Sequence, residues 1–226
     1  MIQSGFEILG REFPKALIET LQMMAISMAV SAVFGLLLGF VLFLTSSPLF
    51  FRNRFVNAVS GAVVNVIRSI PFVILMVFCL PLAKALVGTK IGPLAASVPL
   101  SIAAVAFQAR LVEGALREVD QGVLEAAAGS GAGFLLVESL LIVRRVLLTE
   151  AAPGLVRAVT VTFVSLISYS AMAGLVGGGG IGNLAIQYGY YRFETGVMVL
   201  TVLVLIAAVQ LGQAFGDRLA AALDRR

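Results

Sequence analysis

Histidine is missing from this 226-residue chain, cysteine occurs once, and charged residues make up only 12%. Each scarcity removes a class of chemistry. Without histidine there is no imidazole metal ligand and no general base of the serine–histidine kind. The lone Cys79 cannot form an intrachain disulfide. Aspartate is confined to Asp120, Asp217 and Asp224, all in segments that read as lying outside a bilayer, which excludes an intramembrane aspartic protease by placement. No Gly-Lys-Ser or Gly-Lys-Thr phosphate loop is present, so nucleotide chemistry must belong to another polypeptide. These absences point away from an enzyme, and no metal or cofactor site is expected in the chain itself.

What is abundant is hydrocarbon. Sixty per cent of the residues are hydrophobic and the mean hydropathy is +1.04, whereas about a quarter of an ordinary soluble domain is charged. The chain therefore reads as one integral membrane domain over residues 1–226, with its 23 glycines serving close helix packing or irregular backbone. With about 20 apolar residues needed per helical crossing, five spans are expected: Thr20 to Leu44, Phe55 to Leu82, Ile91 to Val112, Leu155 to Val176 and Thr195 to Phe215. The first is too long for a signal-peptide core and is kept as a span. Turns are expected at Ser46-Ser47-Pro48, at Gly88 to Pro93 and at Pro153-Gly154.

The basic residues orient these spans. Arg52, Arg54, Arg110, Arg117, Arg144, Arg145, Arg157, Arg218, Arg225 and Arg226 collect on one side, against Arg11, Lys15, Lys84, Lys90 and Arg192 on the other. The positive-inside rule makes the first side cytoplasmic, with the N-terminus outside and the C-terminus inside. The net charge of +4 is accordingly topological, and no nucleic-acid partner is expected.

Between the third and fourth spans lies a charged interlude, residues 113–154, that faces the cytoplasm in this topology. Asp120 is placed to cap a short helix from Gln121 to Ala128, with Leu124, Ala127 and Ala128 on one face and Glu125 on the other. Gly129 to Gly133 then breaks it. A second, amphipathic helix is expected from Phe134 to Leu148, ending near Pro153-Gly154. Such an insert is either a docking platform for a partner or an amphipathic helix lying on the membrane.

Glu125-Ala126-Ala127, followed after three residues by Gly131, resembles the start of the cytoplasmic loop signature of ABC importer permeases. Further blocks resemble the methionine-uptake branch of that family: Asn65 to Phe72, Pro153 to Val156, Tyr169 to Gly174, Gly177 to Gly182 and Gln187 to Tyr190. The loop start alone is a weak signal, whereas the ordered set covers the chain from the second span to the last. The resemblance implies an all-α permease of five transmembrane helices with a cytoplasmic coupling-helix insert, working as a pair in a bacterial inner membrane. It also implies a separate ATPase subunit that carries ATP and Mg and grips Leu124, Glu125, Ala126, Ala127 and Gly131, and an extracytoplasmic binding protein that delivers substrate. One departure stands out. Val146-Leu147-Leu148 ends in Thr149 where the family pattern has proline, and about five extra residues, within Gly133 to Ser139, separate it from Gly131. That is near one and a half helical turns, enough to turn the second helix or bulge its start.

Three further features bear on the path. Ser165, Ser168, Tyr169 and Met172 share one helical face, suited to a pathway wall closed by a flexible thioether or to plain helix packing. Arg68 falls mid-span, where facing lipid would cost at least about 2.5–3.5 kcal/mol. It either faces the bundle, sharing partners with Asn65, or snorkels to the surface. Gly177 to Gly180 reads as a turn on the outer face, the other reading being an ion-channel filter, which would need a ring of such loops. Polar side chains in the spans are few, so the binding protein is expected to select the substrate. Methionine rests on the resemblance, and another small amino acid is the alternative.

Overall fold

In lipid every backbone N–H and C=O must be satisfied within its own segment, so uninterrupted apolar runs fold as helices. The computed structural model describes residues 2–129 and 143–224, and among them all regular structure is helical. Helix α1 (Ile2–Val30) passes through a π-helical turn, Ser31–Gly35, into α2 (Leu36–Ser46). Then follow α3 (Arg54–Ser69), α4 (Phe72–Phe78), α5 (Leu80–Val87), α6 (Pro93–Arg117) and α7 (Gln121–Gly129). A second π turn, Val143–Leu147, leads into α8 (Leu148–Ala173), and α9 (Gly180–Leu184) and α10 (Thr195–Leu223) complete the described chain.

Gly10–Ser46, α6, Leu148–Val176 and α10 are each long and apolar enough to cross a membrane, and α3 with α4 makes a fifth crossing when counted as one broken span. Helix α6 is the hub, packing against α1, α2, α3, α5 and α8. Its most apolar window is 61% buried, against 11% for α10, which places α6 in the centre and α10 at the rim.

Small residues make that centrality possible. Ser27, Ser31, Gly35 and Gly39 recur every four residues along α1 and α2, and all four are buried. A Cβ at Gly35 would lie 2.7 Å from Gln108 Cβ, and one at Gly39 would lie 2.6 Å from Val112 Cβ, so the two backbones approach as only glycine permits.

The second span, Phe55 to Leu82, is present as a broken one: α3 and α4 meet at 104°. Pro71 lacks an N–H and forces the residue before it out of the α region, and Ile70 is extended at φ −82°, ψ 125°. One expectation is corrected: the turn expected at Pro153-Gly154 is absent, and these residues do not separate two helices. Both residues lie inside α8, a placement that costs about 3 kcal/mol for an interior proline. Packing offsets that cost, because Ala151 and Ala158 join Val112, Leu116 and Leu147 in one core, and a Cβ at Gly154 would meet Ala115 Cβ at 3.0 Å. Residues 130–142, which hold Gly131, the Gly133 to Ser139 segment and most of the expected helix from Phe134, lie outside the described residues.

Candidate coupling surface and translocation path

At the end of α6, the chain turns through Glu118 to Asp120 into α7. Asp120 Oδ1 accepts from the Gly122 and Val123 amides at 2.6 and 3.3 Å, capping α7 as its position foretells. Leu124 is buried with Phe43, Leu116, Val119 and Leu147, while Glu125 and Ala126 are exposed. Among the α7 side chains described, residues 121–126, Leu124 is the buried one, and Glu125 faces outward. Leu124 packs into the contact of α2, α6 and α8.

One turn back along α6, buried Glu113 bridges two guanidinium groups. Its Oε2 accepts from Arg110 Nη1 at 2.6 Å and its Oε1 from Arg117 Nη2 at 2.7 Å. Arg110 Nη2 also donates to Asn65 Oδ1 at 2.9 Å and to the Gly61 carbonyl at 3.3 Å, tying α3 to α6. Asn65 therefore serves Arg110 and does not share partners with Arg68.

Arg68 sits in the last turn of α3, exposed, with Cζ 6.0 Å from the Phe107 ring centre. The break after it opens a cavity of about 460 Å³ walled by residues of α3, α4, α6 and α8, including Phe72, Phe107, Tyr169 and Met172. Phe72 and Tyr169 stack at 4.6 Å between ring centres. Ser168 and Met172 line a second cavity, of about 520 Å³, between α8 and α10. Ser165 instead returns its hydroxyl to the Val161 carbonyl at 2.8 Å. The four-residue stripe of α8 is thus divided: Tyr169 faces the break, Ser168 faces α10, and Met172 borders both cavities.

At the opposite end of the bundle from α7, the glycine run is a held turn. Gly177, Gly179 and Gly180 have φ of 83°, 79° and 83°. The Gly177 carbonyl accepts from Gly92 N at 2.8 Å. Glu19 Oε2 and Thr20 Oγ1 of α1 accept from the Gly180 and Ile181 amides, each at 2.8 Å. Capping from a helix 161 positions away welds the turn to α1.

Residues 31–226 match the family described as binding-protein-dependent transport system inner membrane component. The chain belongs to this family of transport components. Its relatives include the probable D-methionine transport system permease protein MetI of Vibrio cholerae, 48% identical over 92% of this chain and 90% of that one. The methionine import system permease protein MetP of Bacillus subtilis is 44% identical over 82% of each. Among solved structures, an inward-facing MetNI methionine ABC transporter chain superposes with a TM-score of 0.89 at 41% identity, covering 96% of this chain and 98% of that one. An amino acid ABC transporter studied with histidines matches with a TM-score of 0.70 at 18% identity, a likeness of fold.

This transport component is a multi-pass inner-membrane protein, and it contains two polar arrangements that sequence reading passes over. The first is the Glu113 bridge, whose signal was an acid three residues from one arginine and four from another. The second joins the spans themselves: the Thr162 hydroxyl of α8 donates to the Gln108 amide oxygen of α6, both groups fully buried. A glutamine within an apolar span was the available clue.

Proposed function

We propose that the chain is the membrane-spanning permease subunit of an ATP-driven methionine importer, working as a pair with a separate ATPase and an extracytoplasmic binding protein. The observation that carries this reading is the near-complete superposition on a chain of the MetNI methionine ABC transporter. In this reading α7 is the coupling helix of a cytoplasmic loop over residues 113–154. Leu124, Glu125, Ala126, Ala127 and Gly131 meet the ATPase, where ATP and Mg are bound. The bundle is oriented with its N-terminus outside and its C-terminus in the cytoplasm, and lipid surrounds the apolar rim formed in part by α10.

The mechanism follows from the anchoring of α7. Closure of the ATPase pair on ATP displaces the coupling helix. Leu124 passes the displacement to the α2–α6–α8 core, and the break at Pro71 gives α4 freedom to re-angle against α3. The path lined by Tyr169 and Met172 then opens to one side at a time. Substrate arrives from the binding protein above the turn that Glu19 and Thr20 hold.

The test is to purify the chain with its ATPase, reconstitute it in vesicles and add methionine-loaded binding protein. ATP hydrolysis and methionine uptake rise together if the reading is correct. An ATPase complex that ignores methionine-loaded binding protein, yet imports another small amino acid, corrects the substrate. Failure to co-purify any ATPase overturns the importer.

A further inference from the structure

The cavity at the α3–α4 break has walls of one chemical kind and a single charge. Phe72, Phe107, Tyr169 and Met172 supply aromatic and thioether surface, and Arg68 is the only charged residue among those that line it. No carboxylate among the described residues pairs with Arg68, whereas Arg110 and Arg117 share Glu113. Arg68 is exposed at the mouth of this cavity, and an unpaired guanidinium at membrane depth is costly unless it faces water or a transient counter-ion. The volume, about 460 Å³, falls within the range of small-ligand sites, about 300–1,000 Å³. Guanidinium is also the side chain whose fork matches a carboxylate with two parallel hydrogen bonds.

We infer that Arg68 is a way-station for the carboxylate of the transported amino acid, whose apolar side chain lies against Phe72, Tyr169 and Met172. This rests on the importer reading and deepens it: the membrane subunit selects for a free carboxylate together with an apolar side chain. The neighbouring contacts fit that role. Stacking fixes the Phe72 and Tyr169 rings across the break between α4 and α8, so a change in the angle at Pro71 moves both walls relative to Arg68. Substrate would be released as the walls part, with no covalent step and no titration required.

The test uses the permease reconstituted with its ATPase and without binding protein. Cys79→Ala removes the buried native thiol, and Val73→Cys places a reporter on the exposed cavity wall. Maleimide labelling of the reporter is followed with methionine, or with methionine amide, as the probe. With Arg68 present, methionine slows labelling and the amide does not. Arg68→Gln raises the concentration for half-protection roughly tenfold or more, as expected for loss of a charge-assisted contact, and Arg68→Lys recovers part of it. Co-purification of each variant with the ATPase separates a binding defect from misfolding, and Arg68→Lys carries the test if the glutamine variant does not assemble. Equal protection by acid and amide, or full protection by methionine in either variant, overturns the inference. Uptake from loaded binding protein is scored in the same vesicles. Vesicles that import methionine without Arg68-dependent protection keep the importer and discard the way-station. Vesicles that import a different amino acid correct the substrate, and the same protection experiment is then decided with that amino acid and its amide.

Discussion

Glu113 illustrates how a single carboxylate fixes the geometry of several elements. Both of its oxygens are used, one by each arginine, and the carboxylate itself is buried while Arg117 remains largely exposed. Removing the charge leaves Arg110 without its ion pair, although solvent at the arginine side chains softens the loss. Glu113→Gln is expected to cost about 1–2 kcal/mol, read as a lower thermal midpoint of the purified protein in detergent. Met172 makes the opposite kind of contribution. It borders both cavities and is 41% exposed, so its removal should cost little stability. If it helps to close the path, Met172→Ala raises methionine leak from vesicles in the absence of ATP, and unchanged leak would remove it from the gate. Neither role was written in residue type alone. The position of Glu113 between two arginines was visible in the sequence, but its burial shows only once the helices are packed.

At the scale of helices, the decisive contact is the seam between α2 and α6. A Cβ added at Gly39 would meet Val112 Cβ at 2.6 Å and the Ala109 carbonyl oxygen at 2.8 Å, and the second of these is backbone and cannot step aside. Gly39→Ala is therefore expected to destabilise by about 1–3 kcal/mol. Gly10, on the same apolar stretch, has nothing within 4 Å of such a Cβ, so Gly10→Ala should be neutral or slightly stabilising. Comparing the two thermal midpoints checks that close approach, and not helix propensity, decides the outcome. The two prolines show why element boundaries are harder to read than element existence. Pro71 ends a helix and Pro153 does not, although each follows a stretch with helical preference. Ile70 and Pro71 bend the chain where the fold needs α4 at a steep angle, whereas Pro153 is overruled by the packing of Ala151, Gly154 and Ala158 against α6.

For the molecule as a whole, the two ends of the bundle are built differently. One end is closed by the capped glycine turn, locked to α1 through Glu19 and Thr20. The other presents α7, secured by Leu124 alone among its residues with a described buried side chain. This asymmetry is what the proposed coupling role of α7 calls for. Glu125 is exposed on α7, so Glu125→Lys should leave the bundle and its pairing intact while weakening the ATPase complex. A pull-down that recovers undiminished ATPase with the variant would count against α7 as the coupling surface.

Composition and periodicity by themselves determined that this is a helical membrane protein, where its apolar stretches lie, and that Asp120 caps a short helix beyond the third crossing. Those properties follow from local physics: lipid solvates only satisfied backbone, and an aspartate beside free amides caps them. Pro71 marks its own break locally, while the tertiary structure decided the continuity through Pro153, the partnership of Asn65 with Arg110 and the placing of Arg68 on one cavity with Tyr169 and Met172. Each depends on residues far apart in sequence approaching closely, as the Gly35 backbone does Gln108 and the Glu19 carboxylate does the Gly180 amide. No local preference encodes that approach; it exists only once the helices are packed.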